Sequence, residues 1–88
     1  NLLPIEQIEE IVKVLTYGAK KYAPNNWMFV DDADDRYYAA TMRHLVADRK
    51  GEVLDKETEC FHLAQAAACT IFRLYFRMRE NEQKNKDR

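Results

Sequence analysis

The sequence contains two histidines, and each lies at helical spacing from a polar side chain. His44 and Asp48 are an i, i+4 pair and His62 and Gln65 an i, i+3 pair, so each pair can share one metal ion or one proton. Because both histidines lie at the ends of helices near other titratable groups, they could form a functional site with perturbed pKa values. A structural ion-pair network fits the same spacing equally well. Four carboxylates lie in the polar segment between the histidines: Glu52, Asp55, Glu57 and Glu59.

Further carboxylates lie in the first periodic segment of the chain. Glu6 and Glu10 are one helical turn apart and repel each other, at a cost of roughly a few tenths of a kcal/mol on an isolated helix. A divalent cation removes that cost, because hard cations bind carboxylate oxygens. The alternative is a solvated helix face on which Glu9 pairs with Lys13, and the pattern alone favours that alternative.

Two adjacent lysines lie near the end of this segment, and a tryptophan follows it. Gly18 lies within the helical pattern, where glycine often marks the close approach of a neighbour or ligand, and Lys20 and Lys21 follow it after Ala19. These lysines can bind phosphate, but the helix dipole also favours cations at this end. Asn26 and Trp27 can contact and stack on a nucleobase, while a Trp that covers the hydrophobic end of a bundle is at least as good an interpretation.

A cluster of aspartates has the composition of a metal site but a simpler explanation. Asp31, Asp32, Asp34 and Asp35 immediately precede the second periodic segment. Acidic side chains at a helix N-terminus accept hydrogen bonds from free backbone N–H groups and interact favourably with the helix dipole. We therefore predict a structural role for this cluster.

The elements that must position these residues are helices. The chain has two glycines and two prolines in 88 residues, too few for the turns of a β-sandwich or barrel. From Ile5 to Tyr22, apolar residues recur at steps of three and four and predict a core-facing stripe. The periodicity predicts helices at about residues 4–22, 34–50 and 58–79, with Gly51 ending the second. We expect one all-α domain, a bundle of three main helices at residues 1–80, and a charged, frayed tail at 81–88.

The third predicted helix is apolar on more than one face, which is typical of a helix covered by a second subunit. Small domains often gain stability by oligomerising. Ala66, Ala67 and Ala68 form a strip of small residues that lets helices approach closely. The residues expected to face inward are Leu63, Ala66, Ala67, Ile71, Leu74, Tyr75 and Met78.

The composition limits the classes of partner that we expect the protein to bind and the compartment in which we expect to find it. The net charge of −1 removes the general attraction behind most nucleic-acid binding, so we expect no stable nucleic-acid complex. Charged residues interrupt the apolar stretch at 61–78, which favours a bundle helix over a membrane span. Cys60 and Cys69 lie too far apart along one helix for a disulfide, which predicts free thiols and a cytoplasmic protein. Because the chain begins with Asn1 rather than Met, we expect the native start to precede it.

Taken in order, these residues resemble the phage-encoded dATP/dGTP diphosphohydrolase domain, the MazZ-type relatives of MazG, over roughly Leu2 to Phe76. The resemblance rests on the order and spacing of several short motifs. They are Leu3-Pro4, Glu6 with Glu9-Glu10, the run from Tyr17 to Tyr22, Asn26-Trp27, Arg43-His44-Leu45, Gly51-Glu52 with Asp55 and Glu57, and His62-Leu63-Ala64.

This resemblance implies a MazG-like fold that forms a homo-oligomer, a dimer or tetramer, and completes its sites between chains. It implies hydrolysis of a purine dNTP, dGTP or dATP, to dNMP and pyrophosphate with Mg²⁺ or Mn²⁺, in the host-cell cytoplasm if the protein is phage-encoded. We assign residues to these roles as follows: Glu6, Glu10 and Asp55 as metal ligands; His44, His62 and Glu52 as catalytic groups; Lys20, Lys21 and Arg43 as phosphate ligands; Asn26 and Trp27 as purine contacts.

Two positions depart from the family pattern. Gln65 stands where the family usually has a second histidine, and Glu59-Cys60-Phe61 replaces a glycine, an apolar residue and proline. The carbonyl oxygen of Gln suits Mg²⁺ but is a weaker ligand than imidazole for transition metals. The alternatives are therefore a module that binds or sequesters a nucleotide without turnover, and a helical interaction domain.

Overall fold

The computed structural model describes residues 2–86 and contains three α-helices. They are α1 (Ile5–Lys21), α2 (Ala33–Arg49) and α3 (His62–Lys86), with a short 3₁₀ helix at Asn26–Phe29 between the first two. The prediction of an all-α bundle is confirmed, and the bounds of α1 and α2 agree with the predicted bounds within one residue at each end.

Helix α1 begins after Pro4, whose carbonyl oxygen accepts the N–H of Ile8 at 3.0 Å. It ends at Tyr22, whose N–H bonds the carbonyl oxygen of Gly18. The predicted core-facing stripe is wrong for this single chain, because none of the residues of α1 is buried and Ile5 and Val12 are 57% and 51% exposed. The reason is that α1 packs chiefly on α3, so most of its surface stays uncovered.

Helices α2 and α3 form the main packing layer. The buried apolar residues of α3 are small, since Ala64, Ala66, Ala68 and Cys69 are all at most 9% exposed. Of the expected strip of small residues, Ala66 and Ala68 are buried and Ala67 is half-buried, and such side chains allow helix backbones to approach closely. The core is therefore narrow, and much of the apolar surface of the chain remains uncovered.

The aspartate cluster holds α2 against α3. Asp32 is the N-cap residue, but it has φ 52° and makes no capping hydrogen bond through its side chain, contrary to the prediction. Asp34 instead binds Arg73 at 2.9 Å and Arg77 at 3.2 Å. The structural role is confirmed for Asp34, and its mechanism is an ion pair between helices, because the first turn of α2 faces the cationic side of α3.

The polar connector between α2 and α3 closes on itself. Gly51 adopts φ 101° just after α2 ends, a conformation that suits glycine. Leu54 and Phe61 form an isolated antiparallel bridge, and the N–H of His62 bonds the carbonyl oxygen of Val53 at 3.0 Å. The predicted start of the third helix near residue 58 is therefore wrong, because Glu59, at φ 61°, interrupts helical geometry and α3 begins at His62.

The last helix is longer than predicted. The segment expected to be frayed is helical as far as Lys86, and Arg77 pairs with Glu80 at 3.6 Å across one turn. Charged pairs at i, i+3 support a helix that lacks an apolar stripe. The predicted tail also includes Asp87 and Arg88, which lie outside the described residues.

Several predicted core residues lie at the surface of the single chain. Leu63, Ile71, Leu74 and Met78, expected to face inward on α3, are each about half exposed, and this face continues the exposed apolar surface of the molecule. Cys60 and Cys69 are free thiols, as predicted, but the premise that both lie in one helix is wrong, because Cys60 precedes the start of α3 at His62. Across residues 2–86, none of the helices has the length and apolarity that crossing a bilayer requires.

Candidate functional site

The two histidines lie side by side. Nδ1 of His44, on α2, is 2.8 Å from Nδ1 of His62, the first residue of α3. Nε2 of His62 is 2.6 Å from Oε2 of Glu52 in the connector. His62 is buried and His44 half-buried. The hydrogen-bond partner of His44 is thus His62 rather than Asp48, its neighbour at i, i+4, because the closed connector brings the start of α3 against α2.

Asp55 is held in place from both sides of its carboxylate. The backbone N–H of Glu57 donates to Oδ1 at 2.8 Å, and the buried amide of Gln65 donates to Oδ2 at 3.1 Å. Burial would raise the pKa of Asp55, but these two hydrogen bonds, together with His62 and the backbone of Thr58, outweigh it and hold the pKa below its usual value. Gln65 therefore acts here as a donor that orients the Asp55 carboxylate, which stays ionised at neutral pH.

One group of side chains could hold a metal ion among the residues that the structure describes. It consists of His44, Asp55 and His62, whose candidate ligand atoms all lie within 4.8 Å of one another. Burial, and then the neighbouring His62, lower the pKa of His44, which favours the neutral imidazole that binds metal. Two imidazole nitrogens and a carboxylate oxygen are a donor set that fits Mn²⁺ and other first-row divalent ions.

A cleft of about 1240 Å³ lies beside this group. Its walls come from the C-terminal half of α1, the 3₁₀ helix, α2, α3 and the connector. The cleft brings together predicted residues from three separate parts of the chain, with two of the three metal-type side chains at one end. The predicted residues that line it are Lys20, Lys21, Asn26, Trp27, Arg43, His44 and Asp55.

Lys21 spans this cleft. Its Nζ is 2.6 Å from Oε1 of Glu57 and lies 5.9 Å and 5.3 Å from the ring centroids of Tyr17 and Tyr22. The hydrogen bond to Glu57 raises the pKa of Lys21 above its ordinary value. This ion pair connects the end of α1 to the segment that orients Asp55, since Glu57 also donates its backbone N–H to that carboxylate.

Trp27 serves the packing of the bundle and also lines the cleft. Its ring stacks on Phe72 with centroids 4.6 Å apart and meets Tyr75 edge-on at 5.0 Å. The hydroxyl of Tyr37 donates to the carbonyl oxygen of Trp27 at 3.1 Å and so fixes the 3₁₀ helix against α2. Both sequence interpretations of Trp27 therefore remain compatible with its position.

The carboxylates of α1 lie outside the metal-type group. Glu10 pairs with Lys13 at 2.8 Å, so Lys13 binds Glu10 rather than Glu9, the partner expected from the sequence. Glu6 is exposed in the first turn of the helix. Neither Glu6 nor Glu10 belongs to the group formed by His44, Asp55 and His62 among residues 2–86, and their assignment as metal ligands stays a prediction.

Sequence reasoning missed two charged residues of the cleft. Arg36 and Glu57 both line it, and neither was assigned a role. The signal for Arg36 was available, because it lies seven residues before Arg43 and two helical turns put both on one face. The signal for Glu57 was absent, because its pairing with Lys21 spans 36 residues.

Fold and site define an all-α domain with a His–Asp group at one end of a cleft that carries four cations. The chain belongs to the family described as dATP/dGTP diphosphohydrolase, N-terminal, whose model matches residues 1–87. The family inferred from the motifs is thereby confirmed. No curated protein and no solved structure matches the chain.

Proposed function

We propose that this domain hydrolyses purine deoxynucleoside triphosphates, dGTP or dATP, to the monophosphate and pyrophosphate with the help of a divalent metal ion. The observation that carries the proposal is the placement of His44, Asp55 and His62 beside a cleft lined by cations. The family description, which names dATP and dGTP, supports the substrate class. In the reaction, water adds to the α-phosphorus, the bond to the bridging oxygen breaks, pyrophosphate leaves, and the proton lost from water passes to a base.

Cationic side chains of the cleft would neutralise part of the negative charge of the triphosphate. Lys20, Lys21 and Arg43 line the cleft and would pair with phosphate oxygens, and Arg36 adds a fourth cation to the same wall. Arg43 directly precedes His44 in α2, so it lies next to the metal-type group along the chain. Phosphoryl transfer needs little covalent help from protein and depends on such positioning and charge compensation.

We assign the metal to His44, Asp55 and His62, a donor set that suits Mn²⁺ better than Mg²⁺ because Mg²⁺ prefers oxygen ligands. A bound divalent ion supplies positive charge to the phosphate oxygens and lowers the pKa of a coordinated water. Glu52 accepts a hydrogen bond from Nε2 of His62, which fixes the ring so that its Nδ1 faces His44. With the two histidines serving the reaction as ligands of this ion, we assign Glu52 the task of orienting the attacking water and accepting its proton.

The purine would occupy the aromatic end of the cleft. Asn26 is exposed there and has an amide that can read the edge of a base, and Trp27 offers a ring on which a base can stack. The stack of Trp27 on Phe72 supports this role, because a ring already held in place loses little freedom when a base packs on it.

We further propose that the chain acts as a homo-oligomer, a dimer or tetramer. Leu63, Ile71, Leu74 and Met78 expose one apolar face of α3, and α1 buries none of its residues. A second copy of the chain would remove this surface from water. The free thiols agree with a reducing compartment, and we place the protein in the cytoplasm.

The decisive experiment measures pyrophosphate and dNMP after incubation with each dNTP in Mg²⁺, Mn²⁺ or EDTA. We expect purine dNTP turnover that requires metal, and a loss of at least about tenfold in Asp55→Asn. Asp48→Asn is the matched control, because Asp48 is a carboxylate on α2 outside the metal-type group. Turnover in EDTA, or equal activity in the two variants, would contradict the proposal.

The alternative is nucleotide binding without turnover. Gln65 favours this alternative, because its amide donates a hydrogen bond to Asp55 and because it stands where the family usually has a histidine. Titration calorimetry separates the two functions. Tight binding of dGTP with no pyrophosphate release would establish a sequestering module, and the absence of any binding would leave a helical interaction domain.

A further inference from the structure

The floor of the cleft consists of two helix faces in matching register. On α2, residues recur at steps of three and four, and on α3 they recur at steps of four and three. At about 1.5 Å per residue, each face extends roughly 10 Å. The residues of the floor are Tyr37, Ala40 and His44 from α2 and Gln65, Cys69 and Phe72 from α3.

The chemistry of this floor changes along its length. One end is aromatic, since the rings of Tyr37 and Phe72 lie 4.9 Å apart and Phe72 stacks on Trp27. The opposite end is polar and carries His44 and Gln65. Between the two ends each helix contributes one small residue, Ala40 or Cys69.

A nucleotide has the same order of chemical groups as this floor. With its base at the aromatic end and its phosphates near His44, the sugar lies over the middle of the cleft. We propose that Ala40 and Cys69 form the sugar subsite and select 2′-deoxyribose over ribose. This inference rests on the proposed function and assigns its sugar selectivity to two residues.

The physical basis is the lack of a good hydrogen-bond donor at this point of the floor. Ala40 has no polar side-chain atom, and burial raises the pKa of the Cys69 thiol, which stays neutral and is a weak donor and acceptor. The neighbouring hydroxyls donate their protons elsewhere, because Thr41 donates to the carbonyl oxygen of Tyr37 at 2.7 Å and Tyr37 to that of Trp27. A ribose 2′-hydroxyl that loses water here without a partner is disfavoured by roughly 5-fold to 150-fold.

The test compares kcat/KM for dGTP and GTP in the wild-type chain, in Ala40→Ser and in Cys69→Ser. We expect the wild type to prefer dGTP at least about fivefold. A hydroxyl introduced at either position should raise kcat/KM for GTP relative to that for dGTP, so the preference for dGTP should become smaller. Ala39→Ser is the control, because Ala39 is exposed on the same helix and does not line the cleft.

Equal use of dGTP and GTP by the wild type would overturn the inference while leaving the proposed function intact. An unchanged ratio in both serine variants, each shown to be folded by circular dichroism, would overturn it too. If dGTP is not hydrolysed at all, the proposed reaction fails, and calorimetry with dGMP and GMP still tests the subsite. The sugar subsite would then be supported if the wild type binds dGMP more tightly than GMP and this preference is smaller in Ala40→Ser. Equal affinities of the wild type for dGMP and GMP would reject it.

Discussion

The Nδ1 atoms of His44 and His62 lie 2.8 Å apart, although the two residues are 18 positions apart in the chain. This separation suits an N–H···N hydrogen bond between the two rings. Adjacent ligands of one ion bound at about 2.1 Å lie roughly 3.0 to 3.4 Å apart, so a shift of a few tenths of an ångström would let both rings bind one ion. The same contact therefore serves the metal-free chain and prepares both rings to share an ion.

Removing one ring of this pair should weaken metal binding. We predict that His44→Ala binds Mn²⁺ at least about tenfold more weakly, because one of three ligand groups is lost. His44 is only half-buried, so the variant should retain its fold. Calorimetric titration with Mn²⁺ measures the effect, and Glu59→Gln, which alters an exposed residue of the connector, serves as the control. Unchanged Mn²⁺ affinity in His44→Ala would remove this residue from the site.

The ion pair between Lys21 and Glu57 should compete with phosphate for the same cation. We predict that Glu57→Gln binds inorganic pyrophosphate about twofold to fivefold more tightly, because Lys21 no longer has to leave an exposed ion pair. The difference should shrink at high salt, which screens exposed charges. Glu59→Gln removes the same charge from the same segment and should leave the affinity nearly unchanged. Equal shifts in the two variants would indicate a general charge effect.

The contact of Asp34 with Arg73 and Arg77 should make stability depend on pH. The hydrogen bond from Arg73, with help from Arg77, holds the pKa of Asp34 below its ordinary value. A carboxyl whose pKa is lowered by folding stabilises the protein above its unfolded pKa of about 4, and that contribution disappears as the pH falls through the folded value.

We therefore predict a lower urea midpoint for Asp34→Asn than for the wild type at pH 7, and a smaller difference between them at pH 3. Asp31→Asn should match the wild type at pH 7, because Asp31 is exposed and precedes α2. A difference that stays constant between pH 3 and pH 7 would show that the ion pair is not the source.

The exposed apolar face of α3 should be an interface between copies of the chain. We predict that the wild type sediments as a dimer or tetramer and that Leu74→Asp sediments as a smaller species, since a buried carboxylate would oppose association. Lys84→Glu changes an exposed residue near the end of the same helix and should leave the assembly intact. A wild-type chain that sediments as a stable monomer would contradict this prediction.

Local signals in the sequence were enough for the bounds of α1 and α2 and for several members of the cleft. Pro4 and Gly51 mark the limits of α1 and α2, and periodicity defines the segments between their ends. Lys20, Lys21, Asn26, Trp27 and Arg43 could be selected as binding residues because their chemistry is visible one residue at a time. Whether the apolar stripe of a helix is buried could not be predicted in the same way, because the residues that would cover it belong to other helices or to another chain.

By itself, the sequence determined that the protein is helical, where α1 and α2 begin and end, and which side chains have the chemistry of a nucleotide site. Only the tertiary structure decided which of them meet. His44 contacts His62 rather than Asp48, and Asp34 pairs with Arg73 rather than capping the helix. Gln65 donates a hydrogen bond to Asp55. These contacts form because the connector folds back, held by the hydrogen bond from His62 N–H to the carbonyl oxygen of Val53. Helix periodicity acts over a few residues, whereas these partners are chosen by packing and chain closure across 10 to 39 residues.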